Sequence, residues 1–454
     1  MELYELSLLD ALKGISERRF SSEDLTRACL ARAESLEGKI KAWEWLDPEF
    51  ALQCAREADR QLEDGLPMGR LHGIPVGMKD IISTKGMPTS MGSPIYAGHV
   101  PPQSATVVQH LQAAGAFVMG KTVTTEFAWR HPGKTHNPWN LGHTPGGSSS
   151  GSAAAVAAGC VPAAFGTQTV GSVIRPAAYC GVVGYKPSYG LISRTGVHPL
   201  SPTLDHVGVF ARSIGDAAFL ASCLTGYDRS DPHSLLVNPL QACSGDATEW
   251  DQPPRLAAIQ TSVWDLADDV QKAMFKKNVE QLAEAGAVVH WMKLPSSFDS
   301  ALDVLRTILS AEGAQIYAPL QAQYPGKTSK PLDLLIETGL KVSAVQYLEA
   351  LKAAEEMRAQ LENFFGGFDG IVTPPATGEA PKTLSDTGDA SFCGIWTLMG
   401  VPTISFPVGH GPNGLPLGLQ VVGPYLNDSK ALKVATWCNR QIGYSAGFPL
   451  RSVT

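Results

Sequence analysis

Apolar positions recur at helical spacing over the first sixty residues. Residues 3–63 read as helices, and Leu25, Cys29 and Leu36 mark one that Ser22 can cap. Beyond them, helix and strand patterns alternate. Val107, Val108 and Leu111 share one face of an amphipathic helix over 106–114, and the apolar run Ala116–Met119 then reads as a short buried strand. The same reading puts strands at 255–260, 287–292, 368–373, 403–408 and 417–422. It puts helices at 266–285, 343–364 and 428–442, with Ser343 and Gln346 at capping-box spacing. Such alternation predicts an α/β layered fold, a mixed twisted sheet covered by helices on both faces. Residues 240–254 read as a linker or loop, and the helical stretch 295–365 as a lobe over the sheet. With no internal repeat, residues 1–454 are expected to form a single domain.

Composition narrows the function classes. The chain is 44% hydrophobic, enough for a large core, and only 17% charged. A net charge of −7 without a basic block argues against nucleic-acid and anionic-membrane binding. No apolar run reaches the roughly 18 residues of a membrane span. The acidic, helical N-terminus is unlike a signal peptide. Eight scattered cysteines without a CxxC pair read as free thiols of a reducing compartment, so a cytoplasmic location is expected.

The chemistry concentrates in Thr144–Gly190, which holds no carboxylate and only two cations, Arg175 and Lys186. Neutral, glycine-rich, hydroxyl-dense backbone suits a buried site that works with backbone N–H groups and serine oxygens. Two literal motif matches nearby fail on context. Gly115–Thr122 fits GxxxxGK[ST], but its variable residues are an apolar strand rather than an exposed phosphate loop. Gly147–Gly151 fits GxSxG, but the Pro/Gly/Asn loop before it is no strand, so Ser149 is not a nucleophile-elbow serine. The alanine-rich helix at 153–158 argues against a flexible linker. A nucleophilic Ser172 needs a base, and no histidine lies between His143 and His198. Lysine is the other known partner of serine, provided burial lowers its pKa. Lys79 ends an apolar, Gly-punctuated run, HGIPVGMKDII; a surface lysine paired with Asp80 is the alternative reading.

The strings GIPVGMKD, GKTVTTEFAW, NPWN, GGSSSGSAAAVAA and GTQTVGSVIRPAAYCGVVGYKPSYG resemble the amidase signature family. The ending, FDGIVTPPAT, GVPTISFPVG and GLPLGLQVVG, resembles it too, so the likeness spans nearly the whole chain. The resemblance implies an amidase-signature fold and a metal-independent, cofactor-free amidohydrolase with a Ser–cis-Ser–Lys triad. Ser172 would be the nucleophile, Ser148 the bridging serine after a cis Gly147–Ser148 bond, and Lys79 the base. The N–H groups of Thr169, Val170, Gly171 and Ser172 would form the oxyanion hole.

The family commonly reads T-D-x-G-G-S-I-R; here Gln168 replaces the Asp, Val170 a glycine, and the arginine is displaced to Arg175. This variant resembles the malonamidase-like and biuret- or carboxybiuret-hydrolase-like branch. That likeness implies substrate-binding roles for Arg175, Gly147 and Gln168, with Arg175 gripping the carboxylate of a small acidic amide. An Arg175 that ties loops of the protein together is the alternative. The implied function is hydrolysis of an amide or ureido bond in a small soluble substrate, with water as co-substrate. The alternatives are a glutaminase-type subunit of a tRNA-dependent amidotransferase and an aryl acylamidase. The family further implies a homodimer or a small companion subunit. Trp129, Arg130, His131, Cys393 and Trp396 each have two readings, pocket lining or packing, and His72 reads as packing.

Overall fold

In the computed structural model, residues 2–236, 250 and 252–450 are described. The N-terminal part runs α1 (Leu8–Ser16), α2 (Ser22–Ile40), β1 (Trp43–Leu46), α3 (Pro48–Glu63), β2 (Pro75–Lys79), α4 (Thr106–Ala113) and β3 (Phe117–Thr122). The serine-rich region supplies α5 (Ser150–Ala157), β4 (Ala163–Gln168), α6 (Ile174–Cys180), β5 (Val183–Lys186), β6 (His206–Ala211) and α7 (Ile214–Ser222). Then follow β7 (Arg255–Ile259), α8 (Asp269–Glu284), β8 (Val288–Met292), α9 (Ala301–Gln323), α10 (Lys330–Gly339) and α11 (Ala344–Phe365). The chain closes with β9 (Gly370–Thr373), α12 (Ser391–Leu398), β10 (Thr403–His410), β11 (Pro416–Val422) and α13 (Asp428–Ile442).

Among the described residues the strands form one eleven-stranded mixed sheet in the order β1-β3-β2-β4-β6-β5-β10-β11-β9-β7-β8, flanked by helices. The central strands β2, β4, β5 and β6 are buried along their whole length, as their continuous apolar and small residues require. Because β2 lies parallel to β4, the C-terminal ends of both open on the same edge of the sheet. Lys79 ends one and Gln168 the other. That shared edge positions the site.

Most expected elements stand within a few residues of their places, and the Ser343–Gln346 capping box is formed. The cap of α2 is Ser21, whose side chain accepts from the Asp24 N–H, not Ser22. Ser22 instead donates to the Gly73 carbonyl, a contact with a distant loop that local pattern does not show. Within 3–63 the helices are interrupted by β1, which pairs with β3 at the sheet's edge. The 116–119 strand extends to Thr122, so Gly120, Lys121 and Thr122 lie in a buried strand rather than a phosphate loop. Three helices occupy the expected helical stretch, and α9 packs on α10, α11 and α12. Of the expected linker, 240–249 and 251 lie outside the described residues; Trp250 and 252–254 are in neither helix nor strand.

Candidate active site

Lys79 is fully buried, and its Nζ donates to Ser148 Oγ at 2.7 Å and to Thr167 Oγ1 at 2.7 Å. Both partners are neutral hydroxyls. Burial pushes the amine well below its ordinary value, against a weaker pull upward from the Asp205 carboxylate. The neighbouring Asp80 is not its partner. That carboxylate accepts from Ser90 and lies 3.5 Å from Lys121 Nζ. Two successive residues at the end of β2 thus point their charges to different places, as strand alternation dictates.

Ser148 follows a cis Gly147–Ser148 bond, and its carbonyl accepts from the Thr125 N–H. Ser172 lies on the turn between β4 and α6. Both serines border one cavity of about 280 Å³. Among the described residues the Ser172 hydroxyl has no hydrogen-bond partner. The turn Thr169–Ser172 borders the same cavity throughout, and its four backbone N–H groups find no acceptor among the described residues.

Gln168 explains how the turn holds that shape. It is fully buried; its Oε1 accepts from the Val173 and Ile174 N–H groups at 2.8 and 3.0 Å, and its Nε2 donates to Thr397 Oγ1. The Thr397 hydroxyl donates onward to the Val170 carbonyl at 2.7 Å. Gln168 therefore caps α6 and braces the turn from behind. It does not border the cavity. Gly171 has no room for a side chain, since a Cβ would lie 2.9 Å from Ala390 and 3.1 Å from Cys393. Gly147 likewise does not border the cavity; a Cβ there would meet Thr387 Cγ2 at 2.7 Å.

Arg175 does border the cavity, but its terminal nitrogens are committed within the chain. They donate to the Gly388 carbonyl, to the Gly147 carbonyl at 2.7 Å and to Thr387 Oγ1 at 3.1 Å. Only Nε is left without a partner. The arginine ties the serine loop to the 386–390 loop.

Of the other residues read from sequence, Trp129 and Arg130 border the cavity, while His131, Cys393 and Trp396 do not. Cys393 and Trp396 are fully buried, and burial pushes the Cys393 thiol up to about 12. His72 is buried against the Ala58 carbonyl. Ser149 exchanges hydrogen bonds with the backbone of Thr167, so its hydroxyl is structural. The seven described cysteines are free thiols.

Sequence reasoning missed three parts of the site. Thr167, the second acceptor of Lys79, sits one strand over, a relation that only the β2–β4 pairing shows. Asp205 accepts from Thr169 Oγ1 at 2.5 Å, yet no motif distinguished it from other acidic residues. The far wall comes from α9, with Leu302, Leu305, Arg306 and Leu309, and from Asp386–Ser391.

A family model described as Amidase matches residues 24–432, so the chain belongs to the amidase family. It is similar to a Glutamyl-tRNA(Gln) amidotransferase subunit from Anaeromyxobacter dehalogenans (strain 2CP-C), 34% identical over 97% of each chain. Among solved structures it resembles the peptide amidase from Stenotrophomonas maltophilia, with TM-score 0.87, 30% identity and 99% of both chains covered. It also resembles an inhibitor-bound chain from the vestigial complex linked to the origins of an s-triazine catabolic enzyme. There the TM-score is 0.90 at 25% identity, covering 97% of this chain and 100% of that one. The chain is an enzyme of the amide-hydrolysing type. Among the described residues no helix is long and apolar enough to cross a membrane.

Proposed function

We propose that this enzyme hydrolyses the carbon–nitrogen bond of a small amide through an acyl-enzyme on Ser172. The observation that carries this reading is Lys79, a fully buried amine bonded among the described residues only to hydroxyls, one of which borders the same cavity as Ser172. A buried, neutral amine is a base near pH 7. Lys79 takes a proton from Ser148 as Ser148 takes one from Ser172, and the Ser172 oxygen attacks the carbonyl. The N–H groups of residues 169–172 hold the oxyanion, each donor worth about 2.7–4 kcal/mol in such sites. The proton returns to the departing amine, and water, deprotonated along the same path, releases the acid.

A second reading, supported by the whole-length likeness to an amidotransferase component, makes glutamine the amide and this chain the ammonia-releasing part of an assembly. The Gln-for-Asp exchange at 168 does not weigh against it, because the Gln168 amide oxygen does a carboxylate's capping work. The acidic-amide reading rests on Arg175 alone, and the three internal bonds of that side chain count against a carboxylate grip.

The test is product release from glutamine, malonamate, biuret, simple aliphatic amides and anilides, with wild type and Ser172→Ala. At least one substrate should turn over with wild type and none with the variant; full activity in Ser172→Ala would overturn the reading. Glutamine as the sole substrate, with co-purifying partner subunits, would select the second.

A further inference from the structure

Asp205 stands outside the proton path, yet it is bonded to two segments that line the cavity. Strand β6 runs antiparallel to β4 with His206 opposite Gln168. The residue before His206 therefore meets the residue after Gln168. Asp205 Oδ1 accepts from Thr169 Oγ1 at 2.5 Å, and Oδ2 accepts from the Leu200 and Ser201 N–H groups at 2.8 and 3.0 Å. Thr169 opens the turn bearing the four unpaired N–H groups, and Leu200 lines the cavity. One carboxylate thus fixes the Thr169–Ser172 turn relative to the Leu200 segment of the lining.

The surrounding charges make its relation to Lys79 specific. Arg194 reaches the Asp205 carbonyl at 3.3 Å but pairs with Asp231. Tyr189 and Tyr317 face the carboxylate as neutral phenols raised by burial. His206 is held neutral by burial, with Lys186 behind it. Glu312, on α9, is occupied by the hydroxyls of Ser201, Thr203 and Tyr347. The negative charge of Asp205 pulls the Lys79 amine upward, against burial. Burial raises the Asp205 carboxyl to about 6, while its three hydrogen-bond donors favour the anion, so it is mostly ionised at pH 7.

We propose that Asp205 is a positioning residue, setting the oxyanion turn through Thr169 and acting as the counter-charge when Lys79 holds the proton taken from Ser172. This rests on the reading of Lys79 as base. An ammonium formed in a dry site is unfavourable without a negative charge nearby, and Ser148 and Thr167 offer only dipoles.

The test is the pH dependence of kcat and KM for wild type, Asp205→Asn and Thr169→Val on an amide that the wild type hydrolyses. The negative charge raises the Lys79 pKa, so removing it lets that pKa fall. In Asp205→Asn the acid limb of kcat/KM should move to lower pH, and kcat should fall about 10–100-fold with KM little changed. Thr169→Val keeps the charge and loses only the hydrogen bond, so kcat should fall while the acid limb stays in place. A wild-type kcat and an unmoved acid limb in Asp205→Asn would overturn the proposal. If that variant does not fold, a wild-type kcat in Thr169→Val would do so. Activity in Ser172→Ala would instead defeat the nucleophile assignment.

Discussion

The two walls of the cavity are built on opposite principles. One is the edge formed by β2, β4 and the start of α6. There Lys79, Gln168 and Ser149 are fully buried, and their side-chain polar atoms are hydrogen-bonded to neighbouring protein groups. The other is α9 with the 386–391 loop. It offers the leucines 302, 305 and 309 and exposed charges at Arg306, Asp386 and Asp389, with the exposed Arg130 at the cavity border beside it. The Arg130 guanidinium stacks on the Trp129 ring at 5.3 Å, and among the described residues Arg306 pairs only with its helix neighbour Asp303. The first wall is over-determined and suits bond-making chemistry; the second has latitude and suits choice of substrate. The contrast explains how one scaffold keeps its reaction while relatives differ in what they cleave.

Substitutions that separate the walls test this division. Lys79→Met should lower kcat by about 10⁴-fold or more, since members of a proton path act as a unit. Folding measured by circular dichroism should persist, because a buried amine costs desolvation that a thioether does not. Gln168→Ala strands the Val173 and Ile174 N–H groups and removes the donor to Thr397. It should cost about 10²-fold in kcat, as for loss of an oxyanion donor, and about 3 kcal/mol in unfolding free energy, as for stranded buried polar groups. Leu305→Ala, on the other wall, should shift kcat/KM between bulky and small amides by about 10-fold while kcat on the small ones barely changes. A Leu305→Ala effect as large as that of Gln168→Ala on every substrate would erase the distinction between the walls.

The same division governs what could be read from the chain. The first wall is local: Ser148, Ser172 and the turn between them lie within one uncharged stretch, and Lys79 ends an apolar strand. Burial of a short run leaves a compositional trace. Their partners are not local. Thr167 meets Lys79 only through a parallel strand pair, and Asp205 meets Thr169 only through an antiparallel one. Arg175 was legible as a buried cation near the site, but its ties to Gly388 and Thr387 join residues more than two hundred apart. The leucines of α9 carry the pattern of any core-facing helix face, so nothing in their spacing marks them as lining a cavity. The cap of α2 moved by one residue for a related reason: Ser22 had a better partner elsewhere in the fold.

The brace behind the Thr169–Ser172 turn binds the fates of two distant positions. A hydroxyl carries a single proton, and that of Thr397 has the Val170 carbonyl at 2.7 Å and the Cys393 carbonyl at 3.2 Å as acceptors, while its oxygen accepts from the Gln168 amide. An aspartate at 168 could cap α6 equally well but has no N–H to offer Thr397. It would instead compete with Val170 for the same proton. Position 168 is thus free to change only in step with position 397, so the two should vary as a pair across any lineage that exchanges amide for acid at this point.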